Sequence, residues 1–199
     1  MRGRSPGSLR AQTMPREAVT SDEIVALIVP GIGNSGPQHW QTLWEQRHHR
    51  WRRVQQRDWD RPVCREWLPA LQAAVAEVPT PVVLVAHSMG CLLVAHWAHR
   101  SSVPVRAAFL VAVPDPDGPL FPAAAQGFQP VPLEKLRFPS LVVASSDDPF
   151  GSPAYARRCA REWGSDFVEI PSAGHINADS DLSDWPAGLA LFESLLKSS

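Results

Sequence analysis

Runs of aliphatic residues alternate along the chain with longer stretches in which apolar positions recur at helical spacing. The runs at 24–30 (IVALIVP) and 81–87 (PVVLVAH) are nearly continuous, the pattern of parallel strands buried on both faces. Positions 105–113 and 141–145 repeat it, and shorter candidates lie at 53–56 and 167–170. Between them, 38–50, 64–78, 89–100, 153–163 and 185–197 carry the helical spacing, with Pro or Gly near several ends. Strand and helix taking turns in this way predict an α/β fold, with a mostly parallel central sheet of about six strands flanked by helices. The Pro-rich segment 114–132, with Ala123, Ala124 and Ala125 in its middle, breaks the rhythm. It reads as an excursion over the sheet, placed to wall a substrate site.

At 199 residues the chain has the length of one domain that buries its core without disulfides or metals. The expected division is a disordered tail over 1–22, where several Arg mix with Ser, Gly and Pro, and a single domain over 23–199. The tail holds no apolar stretch of signal-peptide or anchor length, and Pro6, Gly7 and Pro15 oppose the amphipathic helix of a transit peptide. A formal net charge of -1 supplies no global field for nucleic acid or an anionic membrane, so the expected partner is a small molecule. Cys64, Cys91 and Cys159 are odd in number and far apart. They fit neither a disulfide framework nor a metal or redox pair, and read as buried free thiols in a reducing, cytoplasmic setting.

The sharpest chemical signal is Ala86-His87-Ser88-Met89-Gly90, directly after an aliphatic strand and directly before a small-residue helix. Attack by a hydroxyl on a carbonyl needs a serine held out at the carboxyl edge of the sheet, which a tight strand-to-helix turn provides. Gly90 and Ala86 are the small flanking residues that let strand and helix pass closely; Ala86 departs from the GxSxG pattern by one methyl group. The helix after Ser88 would aim its N–H groups at the reacting centre, making Met89 N–H the first oxyanion donor. The competing reading is an ordinary serine N-cap.

The first strong strand runs into Pro30-Gly31-Ile32-Gly33-Asn34-Ser35-Gly36, placed to supply the second oxyanion donor, for which Ile32 N–H is the candidate. A phosphate cradle competes, but the spacing fails GxGxxG and no acidic residue closes a second strand where a dinucleotide site needs one. Downstream, 141–145 leads into Asp147-Asp148-Pro149, and 167–170 into Gly174-His175. Serine, acid and histidine thus follow three strand ends in the chain order of the α/β-hydrolases. Of the two aspartates Asp148 is preferred, because Pro149 would fix its turn, leaving Asp147 to cap the loop or the next helix. His175 would take the proton of Ser88 at Nε2 while its Nδ1–H is held by the carboxylate.

Together PGIGNSGPQHWQTLWE, AHSMG, SSDDPF and AGHINADSDLSDWPAGLALF resemble the small serine hydrolase family of bacterial YdeN-like and retinoblastoma-binding-protein-9-like proteins, over nearly the whole chain from Ile24 onward. The resemblance implies a single-domain α/β-hydrolase with a minimal lid, a Ser88 nucleophile, an Asp148 acid and a His175 base, with no metal and no cofactor. Asn34, Ser35, His39 and Trp40 fall in the family's first loop and are expected at the mouth of the site. Esterase-like chemistry through an acyl-enzyme on a small acyl substrate is implied, although fold and triad do not set the acyl group. A short cavity walled by Trp40 and Phe121 would suit small acyl groups. Two readings compete: acyl transfer to an acceptor other than water, and a catalytically weak scaffold that binds a protein partner, for which eight tryptophans leave room as an aromatic surface.

Overall fold

The computed structural model describes residues 24–198, and the tail expected over 1–22 lies outside the described residues. Aliphatic runs form the centre of the sheet: β1 (Ala26–Val29), β3 (Val82–His87) and β5 (Ser140–Ser145) are buried at every position, as is most of β4 (Val105–Val111). The two strands with exposed or half-buried side chains, β2 (Arg52–Arg53) and β6 (Asp166–Ile170), lie at the edges. All neighbours pair in parallel, in the order β2-β1-β3-β4-β5-β6.

Strand alternation divides the core into two layers. Leu27, Val29, Leu84, Ala86, Ala108, Leu110, Val142 and Ala144 face α2 (Cys64–Ala76), α3 (Met89–Arg100) and α4 (Pro153–Trp163). Their sequence neighbours Ala26, Ile28, Val83, Val85, Phe109, Val111 and Val143 face α1 (Trp40–Arg47) and α5 (Pro186–Lys197). The chain leaves β1 over one face and β3 over the other. Their connections therefore part at the carboxyl edge and open a crevice, the usual ligand position in an open parallel sheet.

The strand expected at 53–56 is shorter and one residue earlier, although Val54 N–H still bonds Ile28 O at 2.9 Å. The helix expected over 38–50 is trimmed to Trp40–Arg47 because His39 caps its start. Positions 112–139 contain no helix and no strand, only one bridge between Val63 and Gln126. This segment is not wholly an excursion: Phe128 is 1% exposed, packs edge-on against Trp67 and closes the α2–α3 side of the core. Trp40, Trp44, Trp51, Trp67, Trp97, Trp163 and Trp185 are all buried, and Trp59 is partly buried against the core. No described helix is long and apolar enough to cross a membrane, and all three cysteines are buried and free.

Candidate active site

Ser88 is the single residue between β3 and α3. Its φ of 54° and ψ of -125° are strained for a residue with a Cβ, a cost of about 1–3 kcal/mol held by the surrounding packing. Gly90 makes the turn sterically feasible, since a Cβ there would lie 2.1 Å from Val29 O. Ala86 sits beside Val29 in the β1–β3 register and is fully buried. The Ser88 side chain makes no helix-capping bond, so the ordinary N-cap reading fails; its hydroxyl meets His175 Nε2 at 2.8 Å.

His175 lies on a loop beyond β6 whose backbone is fixed from several directions. Ala173 N–H donates to Ser145 Oγ at 2.8 Å, Gly174 N–H to Asp147 Oδ1 at 2.8 Å and Ser172 N–H to Ser146 Oγ at 2.9 Å. Trp40 Nε1–H donates to Ile176 O and His87 Nε2–H to His175 O, both at 2.9 Å. The ring thus enters the crevice in one orientation, with Asp148 Oδ1 and Oδ2 each 2.9 Å from Nδ1. A carboxylate only accepts, so Nδ1 carries the proton and Nε2 is left to accept from Ser88. Asp147 instead holds the loop, and the Ser145 hydroxyl, followed by Gly174 N–H, keeps its carboxyl below the usual carboxylate range. Asp148 is 8% exposed and also accepts from Phe150 N–H.

The loop after β1 passes directly over the serine turn. A Cβ on Gly31 would lie 2.9 Å from Ser88 Cβ and 3.2 Å from Met89 N, so glycine alone lets the two backbones meet there. Ile32 and Met89 both border the cavity. Two residues that sequence reasoning missed hold the loop. Arg53, on β2, donates from Nη1 to Asn34 Oδ1 and Ser35 O, both at 2.8 Å, and from Nη2 to Thr42 Oγ1 at 2.6 Å, while pairing with Glu45. Gln41 accepts from Ser35 Oγ and donates to Val85 O. Their only sequence signal is polarity next to a strand or on the buried face of a helix, and the partners become adjacent only once the sheet forms. The phosphate-cradle reading also meets an obstacle, because Gln41 N–H at the start of α1 is already bonded to His39 Nδ1.

The cavity at the crevice has a volume of about 270 Å³, at the small end for a ligand site. Asn34, Ser35 and His39 border it together with Ser88 and His175. Trp40 does not, and its expected place at the mouth is corrected: the side chain is 1% exposed, packed against Trp44, His87, Phe109 and Trp185, where its apolar area is better buried than displayed. Phe121 is not a wall either; Pro114, Pro122 and Phe150 take that position. Apart from the histidines, no titratable side chain among the described residues borders the cavity. His39, His87 and His175 stand in sequence, with ring centroids 4.7 and 5.0 Å apart. Burial, then the Arg53 charge and His175, push the His39 imidazole down to about 3. Burial, with His39 and His175 adding to it, likewise pushes His87 well below its usual value.

Comparison with known proteins places the chain in a family and gives its fold relatives. The profile of a family described as serine hydrolase matches residues 26–194. Among solved structures, a protein described as a YdeN-like hydrolase from Pectobacterium atrosepticum is similar at 30% identity, over 88% of this chain and 91% of that one, with a TM-score of 0.78. The ydeN gene product from B. subtilis is similar at 18% identity over 86% of this chain and 98% of that one, TM-score 0.72. A thermophilic esterase from Thermogutta terrifontis gives 18%, 87%, 90% and 0.65 in the same order; at these identities the likeness is one of fold. No curated protein matches the chain.

Proposed function

Because the chain belongs to the serine hydrolase family, we propose that it cleaves a small, uncharged carboxylic ester through an acyl-enzyme on Ser88. The observation that carries this reading is the hydrogen-bonded series from Ser88 Oγ through His175 to Asp148, at 2.8 and 2.9 Å, bordering a cavity about 270 Å³ in volume. That volume lies at the small end for ligand sites and suits a small substrate. Among the described residues no Asp, Glu, Lys or Arg lines its walls, which favours an uncharged one, since a buried ion needs a partner.

In this mechanism Ser88 Oγ attacks the ester carbonyl and His175 Nε2 takes its proton. Asp148 holds Nδ1–H and stabilises the imidazolium that forms. The negative charge on the carbonyl oxygen meets Ile32 N–H in the loop after β1 and Met89 N–H at the start of α3, each such donor being worth about 10²–10³ in rate. His175 returns the proton to the leaving alcohol, and water repeats the sequence to release the acid. Asn34, Ser35 and His39 border the bound substrate. Turnover of short-chain aryl esters tests the reading: the wild type should hydrolyse them and Ser88→Ala should not, whereas equal turnover by both would remove it.

A further inference from the structure

The three histidines beside the cavity differ in how their nitrogens are used. His175 uses both, and His87 donates from Nε2 to His175 O. His39 accepts Gln41 N–H at Nδ1, at 3.1 Å, and so caps α1. A neutral imidazole that accepts at one nitrogen carries its proton on the other, which makes His39 Nε2 an N–H donor. This atom is buried and has no hydrogen-bond partner among the described residues. The residue is 5% exposed and borders the same cavity as Ser88 and His175. A buried donor without an acceptor costs about 1–3 kcal/mol; the ring borders the cavity while Nε2 itself is closed off from its open space, so a ligand oxygen that reaches it through a small shift of the ring removes that cost.

We propose that His39 Nε2–H reads the substrate: besides its scissile carbonyl, the preferred ester carries a second uncharged oxygen, as an ether, hydroxyl or carbonyl, that accepts from His39. The inference rests on the ester-hydrolase reading and narrows its substrate class. An anionic acceptor is disfavoured because Arg53, the cation whose charge acts on His39, is committed to Glu45, Asn34, Ser35 and Thr42. The edge-on contact between the His39 and His87 rings offers the donor at most a weak N–H···π interaction.

The test compares ester pairs in which an ether oxygen replaces one methylene. Methoxyacetate against butyrate probes the acyl side, and 2-methoxyethyl against butyl esters probes the alcohol side. Dividing the wild-type oxygen-to-methylene ratio in kcat/KM by that of His39→Asn cancels intrinsic reactivity. Asn keeps an acceptor to cap Gln41 N–H but places no donor where Nε2 stood. The ratio should fall about tenfold in His39→Asn for one of the two pairs. His39→Gln, with an amide N–H near the Nε2 position, should recover part of it. His39→Gln against His39→Met repeats the comparison with the cap lost from both, should the Asn variant fold poorly. Ratios unchanged from wild type in these variants for both pairs would overturn the proposal and leave His39 a cap that packs on His87. Labelling by a fluorophosphonate separates the two levels: a labelled wild type with unchanged ratios sinks this inference alone, and an unlabelled wild type sinks the hydrolase reading and the inference with it.

Discussion

The Asp148 carboxylate straddles Nδ1 of His175, each oxygen 2.9 Å from that nitrogen. Asp147, one position earlier, turns instead to Ser145 Oγ and Gly174 N–H. One aspartate orients the imidazole and the other secures the loop that carries it.

Replacing these carboxylates should therefore have unequal effects. Asp148→Asn presents an amide to Nδ1 and favours the wrong tautomer, so kcat should fall by about 10³–10⁴. In Asp147→Asn the amide oxygen still accepts from Gly174 N–H, and the loss should stay within about tenfold. Steady-state kinetics on one aryl ester would decide the matter, and the reverse order would transfer the acid role to Asp147.

Gly90→Ala should destabilise the fold through a single methyl group. The added Cβ would lie 2.1 Å from Val29 O and 3.0 Å from Pro30 O, backbone atoms at the end of β1 and the start of the loop that follows it. Overpacking of this kind costs about 3 kcal/mol, or about 10 °C in Tm for a chain this size. A Tm within a degree of wild type would mean that β1 and α3 part easily at the turn.

The order of elements was readable because β1, β3, β4 and β5 are apolar on both faces while α2, α4 and α5 bury one face; only α3, buried at every position from Met89 to Ala98, lacks that contrast. Edges were harder: in β2 only Arg52 and Arg53 keep strand geometry, and two residues carry little periodicity. Ser88, Asp148 and His175 could be proposed from sequence because each follows a strand end. Trp40 could not be assigned, since helical spacing gives a buried face without saying whether core or cavity lies against it. Arg53 was invisible for another reason. Its acceptors at Asn34 and Ser35 are 19 and 18 positions away and come within reach only through β1–β2 pairing.

Acid should weaken the fold before it titrates most carboxylates. His39 and His87 are held neutral when folded, at about 3 for His39 and well below the usual value for His87, whereas unfolding returns both to about 6.5. Below that value the unfolded chain binds more protons, so stability falls with pH, by up to about 1.4 kcal/mol per pH unit for each ring. Above about pH 7 both contributions are constant. Urea midpoints between pH 7 and 5 should show this slope, and His39→Asn should roughly halve it. A flat profile in the wild type would contradict the buried-neutral assignment.

Arg53→Met should impair catalysis from a distance. The loop carrying Ile32 would lose the bonds that the guanidinium donates to Asn34 Oδ1 and Ser35 O, and kcat/KM should fall about 10- to 100-fold as the proposed oxyanion donor loses its position. Arg53→Lys should recover little, because one ammonium does not span the acceptors that a planar guanidinium reaches. A drop in Tm with kcat/KM held within twofold would make Arg53 a clamp for stability alone.

The most direct test of the central claim is the intact mass of wild type and Ser88→Ala after exposure to a fluorophosphonate. Activation of Ser88 by His175 predicts one phosphonyl adduct on the wild type and none on the variant. An adduct on both would move the nucleophile elsewhere, and none on either would contradict an activated serine in this fold.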